Sequence, residues 1–123
     1  MNEEEVAREI VDAALTVHRE LGPGLLESAY EQCLAFELAR RGLKVERQRE
    51  VPITYQGMRI DAGYRIDLLV AESIIVELKA VDRVAPVHEA QVLSYLKLAN
   101  LRIGFLINFN VRLLKDGIRR LVL

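Results

Sequence analysis

The chain has 123 residues and is 51% hydrophobic, enough for one domain over residues 1–123 with a real core, and this excludes extended disorder. Its net charge of −1 supplies no global pull toward a polyanion, so a nucleic-acid partner has to be held by local charges or a bound cation. No apolar run approaches a membrane span, the opening MNEEEVAREI is unlike a secretory signal, and the lone Cys33 cannot close an internal disulfide, so the expected compartment is the cytoplasm.

Asn2 is expected to cap a helix, with Glu5 as its capping-box partner. Val6, Ile10, Ala14, Val17 and Leu21 then recur at helical spacing. The GPG of Gly22–Gly24 stops this helix and starts a second. Its stripe is Leu26, Tyr30, Cys33/Leu34 and Leu38, with Cys33 read as a small core residue and Gly42 as the closing glycine. After Gly42 the period becomes two. Val45, Val51, Ile53 and Tyr55 alternate with polar residues, and YQGM reads as a hairpin turn. In the next strand, Tyr64–Val70, Tyr64, Ile66, Leu68 and Val70 are expected on one face and Arg65, Asp67 and Leu69 on the other. A short AES turn leads into SIIVELKAVD. Pro86 introduces a helix over Val87 to Ala99, Arg102–Phe109 reads as a buried strand, and KDGI turns into a last strand ending at Leu123. The order α, α, β, β, β, α, β, β implies a mixed sheet with helices packed on it, an α/β fold.

Glu77 and Lys79 are two places apart at the end of an apolar strand, so they share a face. Asp67, across the short hairpin, is placed to be their cross-strand neighbour. A lone Glu-x-Lys is an ordinary surface pair of little energetic worth. An added acid on the preceding strand changes the chemistry. Two converging carboxylates repel, and a hard divalent ion such as Mg²⁺ relieves them. Lys79 would then supply positive charge where a phosphoryl oxygen or attacking hydroxide develops negative charge.

Asp67 with Glu77-Leu78-Lys79 resembles the PD-(D/E)xK nuclease signature. GLLESAY (Gly24–Tyr30) reads G-x-x-E-x-x-Y, the hallmark of the GxxExxY proteins, a branch of that superfamily, and QVLSY (Gln91–Tyr95) resembles the Q-x-x-x-Y motif of RecB-type nucleases. The resemblance runs from about Thr16 to Leu123. It implies a restriction-endonuclease-like fold: a mixed sheet flanked by helices in the core order α-β-β-β-α-β, here with an extra N-terminal helix and C-terminal strand. It also implies that Asp67, Glu77 and the Leu78 carbonyl bind the metal, Mg²⁺ or Mn²⁺. Glu27 would join them directly or through water, and Lys79 would activate the attacking water. Gln91 and Tyr95 would touch the nucleic acid or brace the site. Ile66 stands where the motif has proline.

Other residues are weighed on their own positions. His88, Gln91 and Tyr95 fall on one helical face, and His88 is a candidate phosphate contact. Tyr30, beside Glu27, is a candidate hydrogen-bond support, and Arg65 shares the Asp67 face as a candidate phosphate contact. Arg40, Arg41, Lys44, Arg47 and Arg49 form a basic stretch that either meets phosphates or balances Glu46 and Glu50. The expected activity is metal-dependent phosphodiester hydrolysis on nucleic acid, DNA foremost, by a homodimer. The alternative is an inactive nuclease-like fold serving as a nucleic-acid or protein binding module.

Overall fold

A computed structural model describes residues 1–123. Helix α1 (Glu3–Leu21) begins as its capping box requires. Asn2 Oδ1 accepts the Glu5 N–H at 2.9 Å, and Glu5 Oε1 accepts the Asn2 N–H at 3.3 Å. Helix α2 (Glu27–Arg40) buries Tyr30, Glu31, Leu34, Ala35 and Leu38. That stripe corrects two expectations. Cys33 lies on the opposite side of the helix and is exposed, and Leu26 is the exposed N-cap residue outside the first turn.

The single strand expected from Val45 to Tyr55 is two. β1 (Val45–Glu50) joins the main sheet, whereas β2 (Ile53–Tyr55) pairs only with β3 (Met58–Ile60) in a separate hairpin. Pro52, which has no N–H to give a ladder, stands at the break. The YQGM turn closes that hairpin, with Gln56 and Gly57 both at positive φ, as a type I′ turn demands. β4 (Arg65–Val70), β5 (Ile74–Lys79), α3 (Pro86–Ala99), β6 (Ile103–Asn108) and β7 (Ile118–Val122) follow. A short 3₁₀ turn, Leu114–Asp116, lies between the last two strands, so their connection is longer than the tight hairpin expected at KDGI.

The main sheet has the order β1-β4-β5-β6-β7, with β5 and β6 parallel and every other pair antiparallel. One face packs with α1 and α2 in a core that includes Leu34, Leu38, Val76, Leu78 and Phe105. The other packs with α3 in a smaller core that includes Ile75, Val92, Leu96 and Leu106. Gly104 lets α3 come close, since a Cβ there would meet Val92 Cγ1 at 2.8 Å. This is a three-layer α/β architecture consistent with a restriction-endonuclease-like fold, and the β2–β3 hairpin is an insertion between its first two core strands.

The strict alternation expected along β1 and β4 fails at one place. Val45 packs on the α1–α2 side, but Val51, six residues on, packs on the α3 side. Leu68 lies in the α1–α2 core, but Ile66 lies in the α3 core with Leu69. The hydrogen bonds report the same reversal. The Lys44 carbonyl accepts from Ala71 N–H at 2.8 Å, and Val51 N–H donates to the Tyr64 carbonyl at 2.9 Å. These two pairs are an odd number of residues apart on both strands, so the bonded pairs change phase between them. The reversal falls at Gln48 on β1 and Asp67 on β4.

Candidate functional site

β4 and β5 are laddered only from Leu68↔Val76 to Val70↔Ile74. One step further, the same register sets Asp67 opposite Glu77, and there side chains replace the ladder. Asp67 N–H donates to Glu77 Oε2 at 2.8 Å, and Leu78 N–H donates to Asp67 Oδ2 at 2.9 Å. The two carboxyl groups are held by backbone N–H groups and not by an adjacent cation. Glu77 is only 4% exposed. Its burial, and then the charge of Asp67, push its carboxyl up to about 9, with the Asp67 N–H and Lys79 pulling the other way. Two unit charges about 4 Å apart repel by roughly 4 kcal/mol at an effective dielectric near 20, more than a surface ion pair returns. The pair therefore holds a proton or attracts a cation.

Lys79 ends β5 and is half-buried. Its backbone is fixed on both sides, because Phe109 N–H donates to the Lys79 carbonyl at 2.9 Å and buried Asn108 brackets Val81. Asn108 Oδ1 accepts the Val81 N–H at 3.1 Å, and its Nδ2 donates to the Val81 carbonyl at 2.9 Å. Glu27, the first residue of α2, comes to the same end of the sheet. Burial raises its carboxyl above the usual range, Lys79 opposes that, and Asp67 and Glu31 add to it. Asp67 and Lys79 are thus within electrostatic reach of both Glu27 and Glu77.

The remaining candidates divide. Gln91 and Tyr95 line a groove of about 520 Å³ between α3 and the inserted hairpin, with Tyr64 on its other wall. The Tyr64 and Tyr95 ring centroids are 6.2 Å apart. Burial raises the Tyr95 hydroxyl, and the charges of Glu77 and Asp67 add to it, so the groove adjoins the acid pair. His88 spends Nδ1 as acceptor of the Ala85 N–H at 3.0 Å, at the start of α3. Arg65 is exposed and reaches the Gln48 carbonyl and Glu50 Oε1, each at 3.3 Å. The Leu78 side chain is fully buried.

Tyr30 does not offer its hydroxyl to the acids. It is fully buried, stacks on Phe109 at 4.6 Å, donates to the Gly22 carbonyl at 2.6 Å and accepts the Leu25 N–H at 3.1 Å. Its role is to fold the GPG loop that delivers Glu27. The basic stretch is matched by acids: Arg40 and Arg41 with Glu37, Lys44 with Glu46 and Glu72, Arg47 with Glu31, and Arg49 with Glu46.

Two side chains of the cluster escaped the sequence reading. Glu31, buried one helical turn after Glu27, accepts from Arg47 and from Gln48. Its spacing of four from Glu27 was a usable signal. Gln48 carried none, since a polar residue in a short strand is unremarked. It stands at φ 53°, a left-handed conformation that costs a non-glycine residue about 1–2 kcal/mol.

No three His, Cys, Asp or Glu side chains form a ready-made cation cage. The donor chemistry still fits a hard divalent ion, because the carboxylates gathered here outnumber the single Lys79 and carboxylate oxygen is what such ions take. No curated protein and no solved structure matches the chain. A sequence profile of the PD-(D/E)XK nuclease superfamily matches residues 4–121. Nucleases of that superfamily generally use divalent metals on nucleic acid. With the match reaching into all three helices and every strand of the sheet, the chain belongs to the PD-(D/E)XK nuclease superfamily.

Proposed function

We propose that the protein is a divalent-metal-dependent nuclease of the GxxExxY branch that hydrolyses phosphodiester bonds, with DNA as its nucleic acid. The observation that carries this reading is the unladdered end of β4 and β5, where Asp67 and buried Glu77 face each other beside Lys79 and the Glu77 carboxyl is raised in spite of that cation. Asp67 and Glu77 would hold Mg²⁺ or Mn²⁺ with the Leu78 carbonyl, and Glu27 would complete the set directly or through water. Such an ion, when bound, neutralises the acids and polarises the scissile phosphate. Lys79 orients the attacking water and places its ammonium against the charge that grows on the phosphoryl oxygens. Water adds to phosphorus as the bond to one ester oxygen breaks, leaving a phosphate monoester and a hydroxyl. Gln91 and Tyr95 contact the strand in the groove beside the acids, with Arg65 and His88 at its approaches and Tyr30 supporting the site through the GPG loop.

The test is cleavage of single-stranded, duplex and branched DNA, and of RNA, in Mg²⁺ or Mn²⁺ against EDTA. Glu77→Gln abolishes metal-dependent cutting. Lys79→Ala still binds metal and cuts about 10²–10³-fold more slowly, the usual cost of losing one charge-stabilising donor. Glu72→Gln, in the exposed turn between β4 and β5, cuts as wild type does. Equal cutting by Lys79→Ala and Glu72→Gln removes Lys79 from the mechanism. Nucleic-acid binding with no metal-dependent cutting selects the binding-module alternative.

The same reading includes a homodimer, because a 14.0 kDa chain has little surface beyond its site face with which to grip a duplex. Sedimentation at micromolar concentration that shows only a 14.0 kDa species counts against it.

A further inference from the structure

Gln48 sits in the middle of β1, yet its backbone is left-handed at φ 53°. Its neighbours are regular, with Arg47 opposite Leu68 and Arg49 opposite Ile66. The register therefore runs through unchanged, and only the Gln48–Asp67 step leaves the ladder. The bonds that a continuous ladder would make at this step are made elsewhere. Asp67 N–H goes to Glu77, and the Gln48 carbonyl accepts from Arg65 Nη1 at 3.3 Å. This is also the step at which both strands exchange faces, with Val45 and Leu68 on the α1–α2 side and Val51 and Ile66 on the α3 side.

The side chain explains what the distortion achieves. Gln48 Nε2 donates to Glu31 Oε1 at 2.6 Å and to Asp67 Oδ1 at 3.3 Å. Both partners are carboxylate oxygens, which only accept, so the amide must present its NH₂ end, with one N–H for each acid. Glu31 is anchored in turn by Arg47, whose Nε and Nη2 reach Oε2 at 3.2 and 3.0 Å. The other Asp67 oxygen is held by Leu78 N–H. A neutral donor thus ties one acid of the candidate metal pair to the buried face of α2, and a strained residue in an otherwise regular strand is what brings it there.

We propose that Gln48 is a positioning residue for Asp67: its left-handed backbone and its amide together fix the Asp67 carboxylate between Glu31 and β5 in the orientation a metal ligand needs. This inference rests on the reading of Asp67 as a ligand of a divalent ion. Gln48 itself touches neither metal nor substrate. An ordered outer partner of this kind is worth about 10–100-fold in metal affinity.

The experiment has two arms, both on the full chain. In the first, Mn²⁺ affinity is measured by calorimetric titration for wild type, Gln48→Met, which keeps the length and removes the amide, and Gln48→Gly, which keeps the left-handed backbone and removes the side chain. Both variants are expected to bind Mn²⁺ about 10–100-fold more weakly. Arg49→Met, next along the strand and paired with Glu46, is expected to match wild type. In the second arm, urea unfolding of metal-free wild type, Gln48→Met, Asp67→Ala and the double variant measures whether the two side chains act together. The expected result is that the double variant's unfolding constant departs more than about twofold from the product of the single effects. Additivity within about twofold overturns the proposal, as does unchanged Mn²⁺ affinity in both Gln48 variants. If wild type itself takes up no Mn²⁺, the nuclease reading fails, and the metal-free cycle still decides whether Gln48 holds Asp67.

Discussion

Two charged clusters in this molecule are built on opposite terms. Around Arg41, one guanidinium meets three acids: Asp12 at 2.7 Å, Glu37 at 2.8 Å and Glu9 at 3.3 Å, with Thr16 Oγ1 at 3.2 Å. These bonds join α1 to the end of α2 and hold the Arg41 proton more tightly than usual, the Glu37 bond contributing most. At the open end of β4 and β5 the balance is reversed. Glu27, Glu31, Asp67 and Glu77 follow one another as neighbouring acids, and Arg47 and Lys79 do not offset them all. There the carboxyls of Glu77 and Glu27 are raised. The first cluster is complete as it stands and works as a clasp. The second keeps an excess of carboxylates, and acids perturbed in this way cluster at functional sites.

That contrast is sharpest in its response to metal. Saturating Mn²⁺, at about 100 times its dissociation constant, should raise the unfolding free energy of wild type by about 2.7 kcal/mol, and Glu77→Gln should remove this gain. Arg41→Met should retain it in full. Urea titrations with and without Mn²⁺ check both, and a gain that survives Glu77→Gln would place the ion elsewhere.

A smaller effect is expected at the clasp itself. Arg41 keeps 19% of its side chain exposed, so its bonds fall between the surface and buried limits. Arg41→Met should cost about 2 kcal/mol, equally with and without metal. A loss confined to the metal-bound protein would mean that the two clusters are coupled.

The pH dependence separates the clusters by its sign. Glu77 is raised from its ordinary 4.5 to about 9, so between those values the folded protein binds the extra proton. Stability of the metal-free protein should therefore fall as pH rises through that window, by at least about 1.4 kcal/mol, the equivalent of one pKa unit. Glu77→Gln should flatten the curve. Arg41 is a cation whose proton is held above its ordinary value, so its contribution is fully present below that value and stays constant over the same window. Denaturant midpoints from pH 5 to 9 measure this, and a rise with pH would refute the assignment to Glu77.

Much of the frame was legible in the order of residues. The Asn2–Glu5 box and the spacing of Val6, Ile10, Ala14 and Val17 specify α1 because capping and helical burial are local. The YQGM turn specifies its hairpin for the same reason, since Gln-Gly accepts the two positive φ values that a type I′ turn needs. The pairing of Asp67 with Glu77 was also readable, because a three-residue turn between two strands leaves few registers.

Other features were settled only by packing in three dimensions. Val45, Val51 and Ile53 look like one alternating strand, yet only the docking of β1 against β4 separates β1 from the inserted hairpin. The face reversal at Gln48 breaks the periodicity on which any reading of a strand depends, so periodicity could not reveal it. Tyr30 carries a motif position, but its hydroxyl was assigned by the fold of the GPG loop eight residues away at Gly22. The bridge from Glu31 through Gln48 to Asp67 joins residues 17 and 19 positions apart on three different elements. Local sequence determined which elements form and which acids sit on the hairpin. The tertiary structure decided which neutral donor holds those acids in place, because that choice depends on how α2 lies across two strands and on no property of any one segment alone.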